Sequence, residues 1–114
     1  MIHFMRLKAQ PYELIENGHK TIELRLYDEK RKFIAVGAKI VFSRMDVPER
    51  TMAVTVKALH IFKSFDELYA KLPLEKCGYL PEEIAAAKPS DMEAYYSAEE
   101  QKQYGVVGIE IQKI

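Results

Sequence analysis

The pattern of the chain predicts an α+β domain: a small, mostly antiparallel β-barrel of five or six strands with short helices flanking its mouth. Three observations predict it. Stretches with an apolar residue at every second position recur along the chain. The helix-start signals between them are short. The two kinds of element do not alternate in the strand–helix–strand order of a doubly wound parallel sheet. With 114 residues, 48% of them hydrophobic, the chain fits one compact domain spanning residues 1–114, which buries roughly two-thirds of its unfolded surface.

The elements follow in order. Ile2, Phe4, Met5 and Leu7 suggest a first strand that breaks before Pro11. Pro11 suits the first position of a short helix, Tyr12, Leu14 and Ile15 give it an apolar face, and Asn17-Gly18 supplies its stop. From Thr21 the period becomes two, with Ile22, Leu24 and Leu26 on one face and Thr21, Glu23, Arg25 and Tyr27 on the other. Asp28 to Lys32 is too charged to extend this strand and forms a loop. A third strand, Ala38 to Arg44, follows the Gly37 turn. A fourth, Thr51 to Phe62, sets Met52, Val54, Val56 and Ala58 against Thr55, Lys57 and Leu59. Ser64 and Glu67 make a capping box for a helix through Leu72 with Phe65, Leu68, Tyr69 and Leu72 as its stripe, and Pro73 ends it. Residues 80–104 hold further helix starts, at Pro81, at Ser90 with Glu93, and at Ser97 with Glu100, and are expected to form an acidic helical insertion. Val107, Ile109 and Ile111 alternate in a closing strand.

Composition narrows the function classes. Formal net charge is zero, which argues against a bulk polycation holding nucleic acid by counterion release. The charge is unevenly spread: residues 1–65 carry 12 Lys/Arg against 7 Asp/Glu, and residues 66–100 carry 3 against 9, so a local anion site remains compatible with neutrality. No apolar run approaches the ~20 residues of a membrane helix, and the first residues do not resemble a signal peptide, so a soluble cytoplasmic protein is expected. Cys77 is the single cysteine and is expected to be a small buried hydrophobe. His3, His19 and His60 are too scattered for a metal set, and nothing in the sequence calls for a cofactor. Nucleotide loops, a nucleophile elbow and a zinc-protease helix are all missing.

What remains is the segment GHKTIELRLYDEKR, Gly18 to Arg31. Glu23 and Arg25 lie two residues apart on one strand face, with Lys20 just before them. Such a trio can bind an anion through Lys20 and Arg25 while Glu23 holds them or accepts from a base amine. A desolvated Lys20 would become a nucleophile or base. The alternative is an exposed ion pair worth about 0–1 kcal/mol. Lys30, Arg31 and Lys32 suit either phosphate contact or solubility. Tyr95, Tyr96 and Tyr104 suit either base stacking or core packing. His19 would orient a substrate or do nothing specific.

Gly18, Lys20, Glu23 and Arg25 match the GxKxxExR signature, and the chain resembles the activating signal cointegrator homology (ASCH) domain family of the PUA-like superfamily. The likeness continues through IAVGAKIVF to YYSAEEQKQYGVVGIEI. It implies a PUA-like barrel whose cleft is lined by the signature residues, and binding of RNA or a modified nucleoside or nucleotide. Lys20, Glu23 and Arg25 are the residues carried over, with Gly18 shaping the turn. One branch of the family removes the acetyl group of N(4)-acetylcytidine with a lysine, a threonine and a glutamate. Lys20 matches that lysine, but Glu23 stands at the threonine's position, Thr21 lies two residues earlier, and the branch's glutamate would correspond to Glu75 or Glu67. Ala38 replaces an aspartate that is frequent in the family.

The expectation is therefore an RNA- or nucleotide-binding domain with ligand contacts at Gly18, Lys20, Thr21, Glu23 and Arg25. The alternatives are an amidohydrolase with Lys20 as base and Glu23 activating water, and a protein-interaction module that uses residues 80–104.

Overall fold

The computed structural model describes residues 1–114. Five strands form one curled sheet: β1 (Ile2–Leu7), β2 (Ile22–Leu26), β3 (Lys39–Arg44), β4 (Thr51–Phe62) and β5 (Val106–Lys113). Their spatial order is β1-β3-β4-β5-β2. Only the β1–β3 pair is parallel; the other three pairings are antiparallel, so the expected α+β, mostly antiparallel barrel is present as a five-stranded half-barrel with β1 and β2 at its two edges. Three α-helices, α1 (Ala9–Glu16), α2 (Phe65–Lys71) and α3 (Ala98–Tyr104), flank it. No helix is long and apolar enough to cross a membrane.

Two apolar clusters hold these elements. Alternate residues of β1, β3, β4 and β5 meet Tyr12 and Ile15 of α1 in the first, which includes the fully buried Ile40, Phe42 and Val54. Ile22 and Leu24 of β2 meet Phe65 and Leu68 of α2, Cys77 and Met92 in the second. Neither face of β2 is fully open to solvent, so its polar residues must find partners inside the protein.

Several boundaries differ from the sequence expectation for physical reasons. α1 begins two residues before Pro11, which sits in the first turn where its missing N–H leaves no gap in the hydrogen bonding. β4 carries an irregularity between Val56 and Ala58. The extra residue, Lys57, stays exposed, and past it Leu59 turns toward the first cluster, whereas strict alternation would have pointed it away. In the insertion, the expected Ser90–Glu93 start gives way to one based on Pro89, with Asp91 accepting the Lys88 N–H at 3.1 Å. The insertion is built of two 3-10 segments, Pro81–Ala86 and Pro89–Ala94, followed by α3. Ser97 and Glu100 form the predicted reciprocal cap of α3.

Candidate functional site: a cleft at the seam of the sheet

The two edge strands of the curled sheet, β1 and β2, are not paired with each other. A cleft of about 610 Å³ opens along this seam, closed on one side by the start of α1 and on the other by the insertion.

The end of α1 delivers the first site residue. Gly18 adopts φ +83°, the left-handed conformation that favours glycine, and the backbone N–H groups of Gly18 and Lys20 donate to Ile15 and Leu14 carbonyls at 3.1 and 3.0 Å. Lys20 thus leaves the turn immediately ahead of β2. The Glu23 carboxylate receives both cations: Lys20 Nζ lies 2.8 Å from Oε1 and Arg25 Nε lies 2.7 Å from Oε2. Arg25 Nη2 also donates to the Arg6 carbonyl of β1 at 3.1 Å, so this guanidinium spans the seam.

Glu23 is the one charged residue that is buried, at 4% exposure. Burial pushes its carboxyl pKa up, but the Lys20 ammonium and the Arg25 guanidinium outweigh that push and hold the carboxyl below the usual glutamate range. Burial likewise acts to lower the Arg25 pKa, and Glu23 reverses it. The three groups form a charge-assisted network with one net positive charge, and donors on both cations remain for a ligand.

The second wall is made of residues whose grouping sequence reasoning missed. Tyr69 of α2, Tyr79, and Asp91 and Met92 of the insertion line the cleft, as do Arg6 and Lys8 near the end of β1. Gly78 has φ +106°, and a Cβ there would stand 3.1 Å from Lys20 Cδ; its lack of a side chain lets Lys20 pass. Cys77 is buried beside it. Burial pushes its thiol up to about 11, consistent with the unreactive packing residue expected.

The other residues singled out from sequence are dispersed. Tyr96 lines the cleft while stacking on Phe65 at 6.4 Å, and burial pushes its phenol up. Tyr95 lines it too, with Lys8 Nζ 5.6 Å from its ring centroid. Thr21 lies outside the cleft lining; its backbone donates to the Lys76 carbonyl and accepts from Ile111 N–H, both at 2.9 Å. His19 reaches the Tyr79 carbonyl at 3.5 Å, the limit of a hydrogen bond. Arg31 pairs with Asp28 at 2.9 Å and Lys32 lies over Tyr27; neither reaches the cleft. Glu67 and Glu75 do not line it. No three His, Cys, Asp or Glu side chains gather as a metal set. A more open hollow of about 940 Å³, which Tyr104 lines, lies between α2 and α3, but it holds none of the trio and no buried charge, so the seam cleft is the better site.

The sequence model of the ASCH domain matches residues 5–114. No curated protein matches. Among solved structures, the hypothetical protein PH0355 is similar at 36% identity, with all of both chains covered and a TM-score of 0.80. Protein PF0455 from Pyrococcus furiosus is similar at 37% identity, covering 100% of this chain and 98% of the other, with a TM-score of 0.69. The ASCH protein of Zymomonas mobilis shares the fold at 12% identity, over 97% of this chain and 66% of the other, with a TM-score of 0.67.

Proposed function

The chain belongs to the ASCH domain family, and on that footing we propose that its seam cleft binds a nucleotide, free or as part of single-stranded RNA. Lys20 and Arg25 contact its phosphate or carbonyl oxygens, and Glu23 holds both cations in place. Gly18 and Thr21 shape the backbone that presents them. The observation that carries this reading is the buried Glu23 carboxylate clamped at 2.8 and 2.7 Å by two cations that themselves line the cleft. Ordering two long side chains around one buried anion pre-organises their remaining donors for a second anion. Tyr95 and Tyr96 on the same cleft supply faces on which a base stacks.

The geometry favours binding over hydrolysis. Both Glu23 oxygens are occupied by cations, and a carboxyl held below its usual range is a weak base for activating water.

A panel of short single-stranded RNAs and nucleoside monophosphates, titrated calorimetrically, tests the proposal. Lys20→Ala and Arg25→Ala should each weaken binding about tenfold or more, the loss of one charge-assisted hydrogen bond, with circular dichroism confirming the fold. Chromatography of the same mixtures, and of N(4)-acetylcytidine incubated with the chain, should show no product. Turnover of N(4)-acetylcytidine that vanishes in Lys20→Ala would replace the proposal with an amidohydrolase. Unchanged ligand binding in both variants, with a protein pull-down abolished by Glu82→Ala, Glu83→Ala or Tyr96→Ala, would replace it with an interaction module.

A further inference from the structure

The helical wall of the cleft carries a chain of hydroxyl groups with a defined direction. The Tyr69 and Tyr79 hydroxyls lie 2.7 Å apart, and the Tyr79 hydroxyl donates to Asp91 Oδ2 at 2.8 Å. The same Asp91 oxygen accepts the Lys88 N–H. That backbone donor, and the Tyr79 hydroxyl after it, hold the Asp91 carboxyl below its usual range, so it accepts and does not donate. Burial pushes both phenols above their usual range, so each keeps its single proton.

The direction follows by elimination. The Tyr79 proton goes to Asp91, which leaves the Tyr79 oxygen facing Tyr69 as an acceptor. The Tyr69 proton must then go to Tyr79. What the Tyr69 oxygen has left is lone-pair capacity. Edge-on contacts with Phe65 at 6.3 Å and with Tyr79 at 5.9 Å hold its ring. The Tyr69 oxygen is therefore a held acceptor in a cleft whose signature cations, Lys20 and Arg25, are donors.

We propose that Tyr69 is the specificity-determining residue of the cleft: it accepts an N–H from the exocyclic amino group of a nucleobase and so selects cytosine over uracil. Tyr79 and Asp91 are the positioning residues that aim the Tyr69 proton away from the ligand. This rests on the nucleotide-binding reading and deepens it. Uracil presents a carbonyl oxygen where cytosine presents an amino group. At Tyr69 that carbonyl would set acceptor against acceptor in a partly desolvated site, which binding sites penalise more heavily than the mere loss of a contact.

Cytidine and uridine 5′-monophosphates, titrated calorimetrically into the wild-type chain, Tyr69→Phe, Tyr79→Phe and Lys20→Ala, test it. The wild type should prefer the cytidine nucleotide about tenfold. Tyr69→Phe keeps the ring and should remove the preference by weakening the cytidine nucleotide alone. Tyr79→Phe frees the Tyr69 proton to donate, so uridine nucleotide affinity should rise toward that of cytidine, an effect that a structural role for Tyr79 would not produce. Circular dichroism checks each fold, and Tyr79→Phe carries the test if Tyr69→Phe does not fold. Equal wild-type affinities that Lys20→Ala weakens together would overturn the selectivity while sparing the nucleotide-binding reading. So would a preference that survives Tyr69→Phe, or uridine affinity unmoved in Tyr79→Phe. Failure of the wild type to bind either nucleotide, whether free or within a short single-stranded RNA, would overturn the two proposals together.

Discussion

Replacing Glu23 with glutamine keeps the volume of the side chain and removes the one charge that Lys20 and Arg25 share. The Lys20, Glu23 and Arg25 side chains are only 11%, 5% and 13% exposed, so the value of about 0–1 kcal/mol for a surface pair does not apply. Removing one partner of a buried pair costs about 3–5 kcal/mol. The cleft gives both cations some access to water, so the lower end, about 3 kcal/mol, is expected, a fall in Tm of about 12 °C for a domain of this size. The penalty depends on pH. A carboxyl whose folded pKa lies below its unfolded value adds stability that is fully present above the ordinary glutamate value of 4.5 and fades as pH falls through the folded pKa. Thermal unfolding followed by circular dichroism should therefore show wild type and Glu23→Gln far apart at pH 7 and converging in acid below pH 4.5. The triple variant Lys20→Met, Glu23→Leu, Arg25→Met should recover most of the loss, because apolar residues of similar volume often equal a buried ion pair in stability. A Glu23→Gln variant melting within about 2 °C of wild type at pH 7, or a gap that does not narrow in acid, would refute the reasoning.

Three further outcomes follow from the same geometry. Gly78→Ala places a methyl group against Lys20 in a left-handed backbone position and should cost about 1–3 kcal/mol while weakening nucleotide binding; chemical denaturation and calorimetry read both, and an unchanged affinity would show that Lys20 has room to spare. Cys77, with its thiol near 11, is about 0.1% thiolate at pH 8, so an aromatic disulfide reagent should label it at least a hundredfold more slowly in the native chain than in denaturant; rapid native labelling would contradict its burial. Ser97→Ala removes the α3 cap and should destabilise the chain by about 1 kcal/mol in urea titration, with ligand affinity unaffected because Ser97 does not line the cleft.

Local signals in the sequence proved legible where the structure satisfies them locally. The period-two run from Ile22 to Leu26 separates Ile22 and Leu24 from Glu23 and Arg25 by the pleat alone, and Ser64 and Ser97 cap the next turn of their own backbone. The signals that failed are those decided by distant partners. Ser90 with Glu93 is as good a cap on paper as Lys88-Pro89 with Asp91. Asp91 prevails in a structure where its carboxylate serves the Lys88 N–H and the Tyr79 hydroxyl together. Leu59 faces inward because the extra residue at Lys57 shifts the strand phase, and no residue type in that stretch announces it.

The two walls of the cleft divide along the same line. Lys20, Glu23 and Arg25 sit within one turn and one strand, so their meeting follows from the geometry of a few consecutive residues and leaves a spaced motif. Tyr69, Tyr79 and Asp91 come from a helix, a connecting loop and the insertion, and only the packing of that insertion against α2 joins them. A tyrosine in the apolar stripe of a short helix is ordinary, and its role appears only once its hydroxyl has a partner. The charged wall is therefore conserved by local geometry whenever the motif is kept, whereas the acceptor wall can be rewritten by substitutions in the insertion without disturbing the motif. On the proposed function, affinity for the anion and choice of base can then change independently, because the donors and the acceptor belong to segments that fold for different reasons.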